Sequence, residues 1–267
     1  MVCIIAQGKV IKMTYSNEEL AAHYRNLPVN GGFDSVCDMH IRFRGQLEGC
    51  AVLDLGCRRG KGVYNLASRV GASGRAVGVD WRADLVDAAR DGVEHALSKC
   101  PFDENNISFV VAYPEKLDEA GIAESSFDLV YTNSALNLMR DPVEALRQVM
   151  RVLKPGGLFA CRTVLATMPR DEGVVEQARA IGNAVQAAPH RRTFAAWLGS
   201  AGFDMAQFDN VDQGGVAVDA GVREGEAFPI VETDERTSFV LVDAFVRKDD
   251  GIDRYSESLT KDISEFR

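Results

Sequence analysis

The sequence contains no apolar run as long as the roughly 18 residues that a membrane-spanning helix needs. Its first apolar segment, residues 2–6, is also too short for the core of a signal peptide. We therefore expect a cytoplasmic protein that has no membrane as a partner. Residues 1–12 differ in character from those that follow, so Met13 is an alternative start, and the choice between Met1 and Met13 stays open.

The chain also lacks an excess of basic residues. Lysine and arginine total 30, against 39 aspartate and glutamate residues, and the net charge at pH 7 is −9. Proteins that bind nucleic acid carry a basic patch or stripe, so we expect no nucleic-acid partner. A small-molecule substrate is favoured instead. The composition does not distinguish a monomer from a homodimer.

Cysteine pairs with metal-binding spacing are missing too. The chain has six cysteines, and no two of them form a Cys-x-x-Cys pair. We therefore expect free thiols and no metal site. The six are Cys3, Cys37, Cys50, Cys57, Cys100 and Cys161.

What the chain does contain is a regular alternation of short apolar segments with helical patterns. Its 267 residues and 46% hydrophobic content suit one large α/β domain. The alternation predicts a doubly wound, mostly parallel sheet of seven strands in the order 3-2-1-4-5-7-6, with the last apolar run pairing antiparallel at the sheet edge. The predicted strands are residues 51–55, 75–80, 107–112, 127–133, 158–164, 204–209 and 239–246. The predicted helices are residues 17–25, 33–46, 61–70, 83–99, 142–153 and 193–201, with a further helical stretch after Pro169 that continues through Ala188.

This pattern divides the chain into three parts. The N-terminal part precedes the first core strand, which leaves it free to fold over a ligand crevice as a helical lid. Tyr15 and Tyr24 are candidates to cap a ligand there, and packing of the helix explains them equally well. The predicted parts are the lid (residues 1–46), a Rossmann-like domain (residues 47–247, with substrate-side helices at about 166–201) and a charged tail (residues 248–267).

The most informative motif is a strand that breaks into a glycine turn and then starts a helix. Residues 51–55 are apolar, as in a central parallel strand that is covered on both faces. Gly56 and Gly60 allow the backbone to turn sharply beside a ligand. The next strand ends in Asp80, and in a βαβ unit a carboxylate at this position accepts both ribose hydroxyls of an adenosine. The combination predicts a nucleotide-binding turn.

The turn departs from the dinucleotide pattern Gly-x-Gly-x-x-Gly. Arg58 stands where the middle glycine is usual, which disfavours pyrophosphate and favours S-adenosylmethionine, a ligand without phosphate. In a left-handed backbone conformation a non-glycine residue costs about 1–2 kcal/mol, which another interaction must offset. One hypothesis is that the Arg58 guanidinium meets the methionyl carboxylate of the ligand. The alternative is that it points to solvent.

Four motifs in a fixed order resemble the class I S-adenosylmethionine-dependent methyltransferase family. The resemblance extends over roughly residues 47–247, and it implies S-adenosylmethionine as cofactor and methyl transfer as activity. The motifs are Val52-Leu53-Asp54-Leu55-Gly56-Cys57 with Gly60, the acidic Asp80, Phe127-Asp128-Leu129-Val130 leading to Asn133, and Arg151-Val152-Leu153-Lys154-Pro155-Gly156-Gly157.

The resemblance also implies roles for individual residues. Asp54 would order the glycine turn near the amino group of the ligand, Trp81 would stack on adenine, and Asn133 would face the methyl donor. Glu115 would accept a hydrogen bond from the adenine amino group, although packing of its loop is an equal alternative. No catalytic residue or general base is assigned. The expected cofactor-binding residues are Asp54, Gly56, Cys57, Arg58, Gly60, Asp80, Trp81, Tyr113, Pro114, Glu115, Asn133 and Ser134.

Within the family, the chain resembles the arsenite methyltransferases. Their chemistry depends on thiolates that hold trivalent arsenic. Here Ser134 stands at the place of the family's central cysteine, Ala184 stands near the place of its C-terminal cysteine, and Cys37 is the N-terminal candidate. We therefore predict methyl transfer to a small-molecule acceptor other than arsenite. The resemblance rests on residues 63–71, 113–117, 121–122 and 132–138.

Two other functions stay open at the level of sequence. One is a different S-adenosylmethionine-consuming reaction, aminocarboxypropyl transfer or cyclisation, which the unusual Arg58 motivates. The other is an S-adenosylmethionine-binding protein without turnover, which Arg58 and the absent cysteines both permit.

Overall fold

The computed structural model describes residues 5–6, 9–10, 15–27, 46–204, 206–211, 215–216 and 237–249. Residues 33–45 of the predicted helix at 33–46, residues Cys3, Met13 and Cys37, and the tail beyond residue 249 lie outside the described residues. The strands are β1 (Ile5–Ala6), β2 (Lys9–Val10), β3 (Ala51–Leu55), β4 (Arg75–Asp80), β5 (Ile107–Val111), β6 (Phe127–Asn133), β7 (Leu153–Ala166), β8 (Gln207–Asn210) and β9 (Phe239–Arg247). The α-helices are α1 (Asn17–Asn26), α2 (Lys61–Val70), α3 (Ala83–Asp91), α4 (Val93–Leu97), α5 (Pro142–Val152), α6 (Glu172–Ala180) and α7 (Arg191–Ser200), and 3₁₀ turns cover Pro114–Lys116 and Leu136–Leu138.

Seven of these strands form one sheet, in the order β5-β4-β3-β6-β7-β9-β8. Counted within the sheet alone, this is 3-2-1-4-5-7-6, so the predicted topology is confirmed. Strands β3 to β7 run parallel, and β9 pairs antiparallel with both β7 and β8. Because β3 lies between β4 and β6, the chain reverses its winding direction there. In a doubly wound sheet this switch point opens the ligand crevice at the carboxyl ends of the strands.

Apolar side chains cover both faces of the sheet. On one face Val52 of β3 packs in a buried cluster with Val63 of α2. On the other face Leu53 shares a cluster with Leu146 of α5 and Phe194 of α7. Neighbouring residues of a strand point to opposite faces, so the continuous apolar run at 51–55 is what a strand covered by helices on both sides requires. Each fully buried side chain of this kind contributes about 1.5–3 kcal/mol.

Helix α1 begins as predicted. The Ser16 side chain accepts a hydrogen bond from the backbone of Glu19, and the Glu19 carboxylate accepts one from the backbone of Ser16. This reciprocal capping box satisfies two of the free N–H groups at the start of the helix. Leu20 and Tyr24 are buried on the inner face, so apolar contacts attach α1 to the domain, while the cap stabilises the helix itself.

The predicted helix at 83–99 is instead two helices, α3 and α4, which divide at Gly92. The Tyr64 hydroxyl donates a hydrogen bond to the Ala89 carbonyl. A Cβ atom on Gly92 would lie 2.4 Å from that hydroxyl oxygen. Glycine is a weak helix former, and the Tyr64 side chain of α2 lies beside Gly92 at the end of α3. The helix divides at this residue.

Strand β7 is longer than the predicted 158–164. It begins at Leu153 and includes the Lys-Pro-Gly-Gly sequence at 154–157. The register between β6 and β7 shifts between Phe127 and Leu129, and Gly156 has a φ of +75°. A local irregularity of this kind accommodates extra residues without ending the strand, which is why a Pro-Gly-Gly sequence did not stop it.

Two further predictions need correction after β7. The predicted helical stretch through Ala188 ends earlier, because α6 stops at Ala180 and residues 181–188 form turns. The last strand, β9, is not itself the edge of the sheet, since β8 pairs on its far side. Among the described helices, none has the length and apolar character that crossing a membrane requires.

Candidate functional site

The glycine turn after β3 has the conformation that its sequence predicts. Gly56 has a φ of +83° and Gly60 a φ of +79°. A Cβ atom on Gly56 would lie 2.6 Å from the Cβ of Ala135, and one on Gly60 would lie 2.7 Å from the Phe109 ring. Both positions therefore require glycine, for backbone conformation and for space. The turn is attached to β4, because the Gly56 N–H donates to the Val79 carbonyl at 2.8 Å.

Arg58 adopts the left-handed backbone conformation, which is costly for a non-glycine residue. Its φ is +49°. Its backbone N–H donates a hydrogen bond of 2.9 Å to Asp80 Oδ2. A hydrogen bond to a charged group contributes about 1.5–3 kcal/mol, which is enough to offset about 1–2 kcal/mol of backbone strain. The carboxylate at the end of β4 thus stabilises the unusual residue in the turn.

Asp80 is a buried carboxylate of the crevice whose two oxygens are both hydrogen-bonded. Its side chain is 1% exposed, and its two oxygens accept backbone hydrogen bonds from Arg58 and Arg82, each at 2.9 Å. Burial raises the pKa of Asp80, while the two backbone hydrogen bonds oppose that rise. An ionised carboxylate has about four acceptor sites, so both oxygens keep capacity for ligand hydroxyls.

Asp54 lies under the glycine turn in a site that favours its protonated form. Burial raises the pKa of Asp54 to about 7, and the nearby Asp80 acts in the same direction. A Cβ atom on Gly62 would lie only 2.2 Å from Asp54 Oδ2. Gly62 is therefore the residue that lets the carboxyl group approach the first turn of α2. The sequence motif does not single out Gly62, because it falls outside the glycine spacing of the turn.

We expect the raised pKa of Asp54 to make folding stability depend on pH. The folded protein keeps a proton that the unfolded chain, with an aspartate pKa near 3.9, has lost. Stability should therefore fall as pH rises from about 5 to about 7. Asp54→Asn copies the shape of the protonated acid and should flatten this slope by about 1.4 kcal/mol per pH unit. Urea unfolding at pH 5, 6 and 7 measures it.

The matched control for this prediction is Asp103→Asn. Asp103 lies exposed in the loop before β5, so its removal should leave the slope unchanged. Glu115 has a raised pKa of about 7 as well and contributes equally in all three proteins. Parallel stability curves for the wild type and Asp54→Asn would contradict the assignment.

Three aromatic rings form a stack at the end of β4. The Tyr24 ring lies 4.5 Å from Trp81 and 5.4 Å from Tyr113, measured between ring centroids, and both pairs are stacked. Tyr24 of α1 thus occupies the slot between Trp81, which was predicted to stack on adenine, and Tyr113, which was predicted to bind the cofactor. The Trp81 indole N–H is buried and has no acceptor among the described residues. A buried donor of this kind is uncommon in native proteins.

Glu115 is bound to α1 in this structure. The Tyr24 hydroxyl is within 2.8 and 2.9 Å of its two carboxylate oxygens, and the Asp141 N–H donates to it at 3.1 Å. Burial raises the pKa of Glu115 to about 7 against these hydrogen bonds. Pro114 is buried beside it at the start of the 3₁₀ turn. The predicted contact of Glu115 with adenine stays a prediction.

Asn133 and Ser134 lie where β6 ends, beside the glycine turn. Ser134 has a φ of +63°, its N–H donates to the Arg162 carbonyl at 2.8 Å, and its hydroxyl contacts Asn133 Oδ1 at 2.9 Å. The next residue, Ala135, is the one that a Cβ atom on Gly56 would meet. The structure therefore places these polar groups at the same edge of the sheet as Asp80.

Cys57 belongs to the core under the turn. Its side chain is buried, and burial raises the pKa of its thiol well above the usual range. The thiol is therefore protonated at neutral pH, which makes it a poor nucleophile and a poor metal ligand. No group of three or more His, Cys, Asp or Glu side chains in the described part of the chain is arranged to hold a metal ion.

A polar groove lies next to the crevice, on the other side of α1. It has a volume of about 560 Å³ and is lined by residues of α1, of the segment before α5 and of α6. Its charged residues could not be grouped from the sequence, because they come from three distant segments. The only local signal is the spacing of Glu176 and Arg179, which places both on one face of α6. The lining includes Tyr15, Glu19, His23, Arg140, Glu176 and Arg179.

Comparison with known proteins gives matches in both sequence and structure. Residues 46–205 match the methyltransferase domain family. The arsenite methyltransferase of Mus musculus is 37% identical over 129 residues, which are 48% of this chain and 34% of that protein. The demethylmenaquinone methyltransferase of Lactococcus lactis subsp. lactis is 31% identical over 126 residues, 47% of this chain and 46% of that protein. The matched segment spans about a third of the length of the arsenite methyltransferases of mouse and human.

A solved structure covers more of the chain. The arsenic(III) S-adenosylmethionine methyltransferase from Chlamydomonas reinhardtii superposes with a TM-score of 0.65 at 25% sequence identity, over 86% of this chain and 73% of that chain. The phosphoethanolamine N-methyltransferase 2 of Haemonchus contortus, solved with S-adenosylhomocysteine, superposes with a TM-score of 0.55 at 16% identity, over 78% of this chain and 51% of that chain, and shows the fold alone.

Proposed function

Because this chain belongs to the methyltransferase domain family, we propose that it binds S-adenosylmethionine at the carboxyl ends of β3 to β6 and methylates a small molecule other than arsenite. The resemblance to class I S-adenosylmethionine-dependent methyltransferases that the motifs indicated is confirmed. The identity of the acceptor and the residues that bind the cofactor are the parts that we propose.

The observation that carries the proposal is the arrangement of Asp80. A fully buried carboxylate ends β4, holds the glycine turn through Arg58, and keeps acceptor capacity on both oxygens. Ribose hydroxyls are donors that suit it. The structure also fits the cofactor in two independent ways: the turn has no room for a Cβ atom at Gly56, and the buried indole N–H of Trp81 has no acceptor among the described residues.

These residues suggest how the cofactor is held. Asp80 accepts the ribose hydroxyls, the turn at 56–60 approaches the methionine portion, and Trp81 stacks on adenine. Since Tyr24 occupies the slot between Trp81 and Tyr113, α1 is the element that moves when adenine stacks there. This supports the predicted lid. Asn133 and Ser134 then line the side at which the methyl group is transferred.

The bound cofactor supplies an electrophilic methyl group on a positively charged sulfur. The protein therefore needs mainly to align the acceptor and to exclude water. Alignment alone, expressed as an effective molarity, supplies a large share of the rate enhancement. Ser134 is a packing residue in this scheme. Its hydroxyl is hydrogen-bonded to Asn133, and no described contact gives it a histidine base.

Arsenite is not the proposed acceptor, because trivalent arsenic is held by thiolates. Of the described cysteines, Cys57 and Cys161 are buried in the core, and only Cys50 and Cys100 are partly exposed. Cys161 lies in the middle of β7, and Cys50 directly precedes β3, at the opposite end of the strand from the glycine turn. The described thiols therefore do not gather at the proposed methyl-transfer side.

Binding and product analysis test the proposal. We expect S-adenosylmethionine to bind in a calorimetric titration, and labelled cofactor to give S-adenosylhomocysteine when thiol, amine, small-acid and metalloid acceptors are screened by mass spectrometry. Methylthioadenosine as product would replace methyl transfer by aminocarboxypropyl transfer or cyclisation. Absence of binding at millimolar concentration would end the cofactor assignment, and rapid methylation of arsenite would overturn the exclusion of that acceptor.

A further inference from the structure

Tyr24 of α1 makes two contacts that were predicted for adenine. Its ring stacks on Trp81, with centroids 4.5 Å apart and planes at 29°, and its other stacked neighbour is Tyr113, with planes at 13°. Its hydroxyl donates to Glu115, whose oxygens lie at 2.8 and 2.9 Å. The amino group of adenine is a donor as well. Tyr24 therefore resembles adenine in its flat shape, in its stacking partners and in the direction of its hydrogen bond.

The Tyr24 side chain fills this slot. It is 3% exposed, and its hydroxyl oxygen also accepts a hydrogen bond of 3.4 Å from the Arg140 N–H. Burial raises the pKa of Tyr24 well above its usual range, and Glu115 acts in the same direction, so the hydroxyl keeps its proton and stays a donor. An adenine ring that stacks on Trp81 in this slot needs the space that Tyr24 occupies.

Helix α1 carries Tyr24 on its inner face. Leu20, Tyr24 and Leu27 have the spacing that places residues on one side of a helix, and all three are buried in one apolar cluster with Leu138. The capping box that begins the helix lies within residues 16–19, so the start of α1 does not depend on contacts with the rest of the domain. The contacts that Tyr24 makes in the slot are thus part of what holds α1 in place.

We propose that Tyr24 is an intramolecular competitor of adenine, so that α1 inhibits cofactor binding until it is displaced. The inference rests on the proposed function and adds an autoinhibitory contact to it. In a two-state equilibrium, the apparent dissociation constant is the intrinsic one divided by the fraction of protein in which the site is open. Each interaction that holds Tyr24 in the slot therefore lowers the affinity for the cofactor.

Removal of the Tyr24 hydroxyl tests the competition. Tyr24→Phe keeps a ring in the slot but loses the hydrogen bond to Glu115, while the proposed contact of adenine with Glu115 is unchanged. Since only the closed form is destabilised, we expect S-adenosylhomocysteine to bind about tenfold more tightly in calorimetric titration. Adenosine, which has the same base without the amino-acid portion, should gain by the same factor. Tyr24→Leu also removes the stacked ring and should tighten binding at least as much.

The matched control is Tyr15→Phe. Tyr15 lies on the same segment just before α1, and its ring contacts Arg140, so loss of its hydroxyl should change the affinity by less than about twofold. Circular dichroism should be used to check that each variant is folded, and Tyr24→Phe decides alone if Tyr24→Leu is not. Equal affinity of the wild type and Tyr24→Phe, weaker binding by a folded Tyr24 variant, or an equal gain in Tyr15→Phe would each overturn the proposal.

Fluorine NMR follows Tyr24 itself. In protein labelled with fluorotyrosine, the signal that is missing from Tyr24→Phe belongs to Tyr24. Without ligand, a soluble nitroxide should leave this signal sharp, because the ring is buried. Saturation with S-adenosylhomocysteine should shift the signal and let the nitroxide broaden it, since the ring has left the slot. The signal of Tyr64, on α2, is the internal reference and should not change. A Tyr24 signal that stays protected in the saturated protein would contradict the proposal.

The two proposals can fail separately. If S-adenosylhomocysteine binds the wild type and both Tyr24 variants equally, the competition is wrong and the proposed cofactor site stands. If it binds none of these proteins at millimolar concentration, the cofactor assignment fails, and the competition fails with it. Binding that is detectable only after Tyr24 is replaced would support both.

Discussion

Replacing Asp80 with asparagine should weaken S-adenosylmethionine binding by at least about a hundredfold, since it removes two charge-assisted ligand hydrogen bonds of about 1.5–3 kcal/mol each. The effect has a second source within the protein. The carboxylate oxygens accept from the backbone of both Arg58 and Arg82, whereas the asparagine NH₂ group would face one of these donors. The turn that supports the ligand is therefore weakened together with the ribose contact. Calorimetric titration of the cofactor measures the loss.

Asp84→Asn is the matched control. Asp84 lies in the first turn of α3, four residues from Asp80, and its exposed carboxylate pairs with Arg82. It changes the same charge without touching the crevice, so cofactor affinity should stay within about threefold, the scale of a surface ion pair. Circular dichroism should be used to check that both variants are folded. A folded Asp80→Asn protein with wild-type affinity would remove Asp80 from the site.

Replacing Asp243 with alanine should lower the free energy of unfolding by about 3–5 kcal/mol, the usual cost of removing one partner of a buried ion pair. Asp243 of β9 and Arg162 of β7 form two parallel hydrogen bonds of 2.7 and 2.8 Å. The arginine side chain is 2% exposed. The substitution leaves a guanidinium in the core without the carboxylate that balances its charge. Chemical unfolding monitored by circular dichroism gives the difference.

Two further proteins complete this test. Asp87→Asn breaks the exposed pair with Arg90 and should cost less than about 1 kcal/mol. The double variant Arg162→Met with Asp243→Leu replaces the buried pair by apolar groups and should recover most of the stability that Asp243→Ala loses. A cost for Asp243→Ala no larger than that of Asp87→Asn would show that the pair contributes little to folding.

The sheet was predictable because its signals are local. The apolar run at 51–55, the glycines that end it and the carboxylate at Asp80 each act through residues close in sequence, and strand order follows from the β–α alternation. The prediction of one continuous helix at 83–99 was wrong, and a side chain from a distant part of the sequence contacts the helix there. Tyr64 of α2 is bound to the end of α3, and no pattern within residues 83–99 contains that contact.

The sequence predicted which residues form the site, but not which residues they contact. Arg58 stood out because a non-glycine residue in a glycine turn is unusual, yet the group that stabilises it is Asp80, 22 residues further along the chain. The contact of Tyr24 with Glu115 joins residues separated by 91 positions. The groove beside α1 was not predictable, because His23, Arg140 and Arg179 come from three distant segments, and the one local signal is the spacing of Glu176 and Arg179 on α6.

The placement of β9 has a consequence for the order in which the protein assembles. This strand, the last described in the chain, lies inside the sheet, hydrogen-bonded to β7 on one side and β8 on the other. During synthesis one edge of β7 therefore stays unpaired until residues 239–247 are made. The last ten of the fourteen residues of β7 are all buried in the folded protein. An exposed apolar edge is a template for association with other chains. Until β9 is made, this edge of β7 is therefore a place where association with other chains can begin.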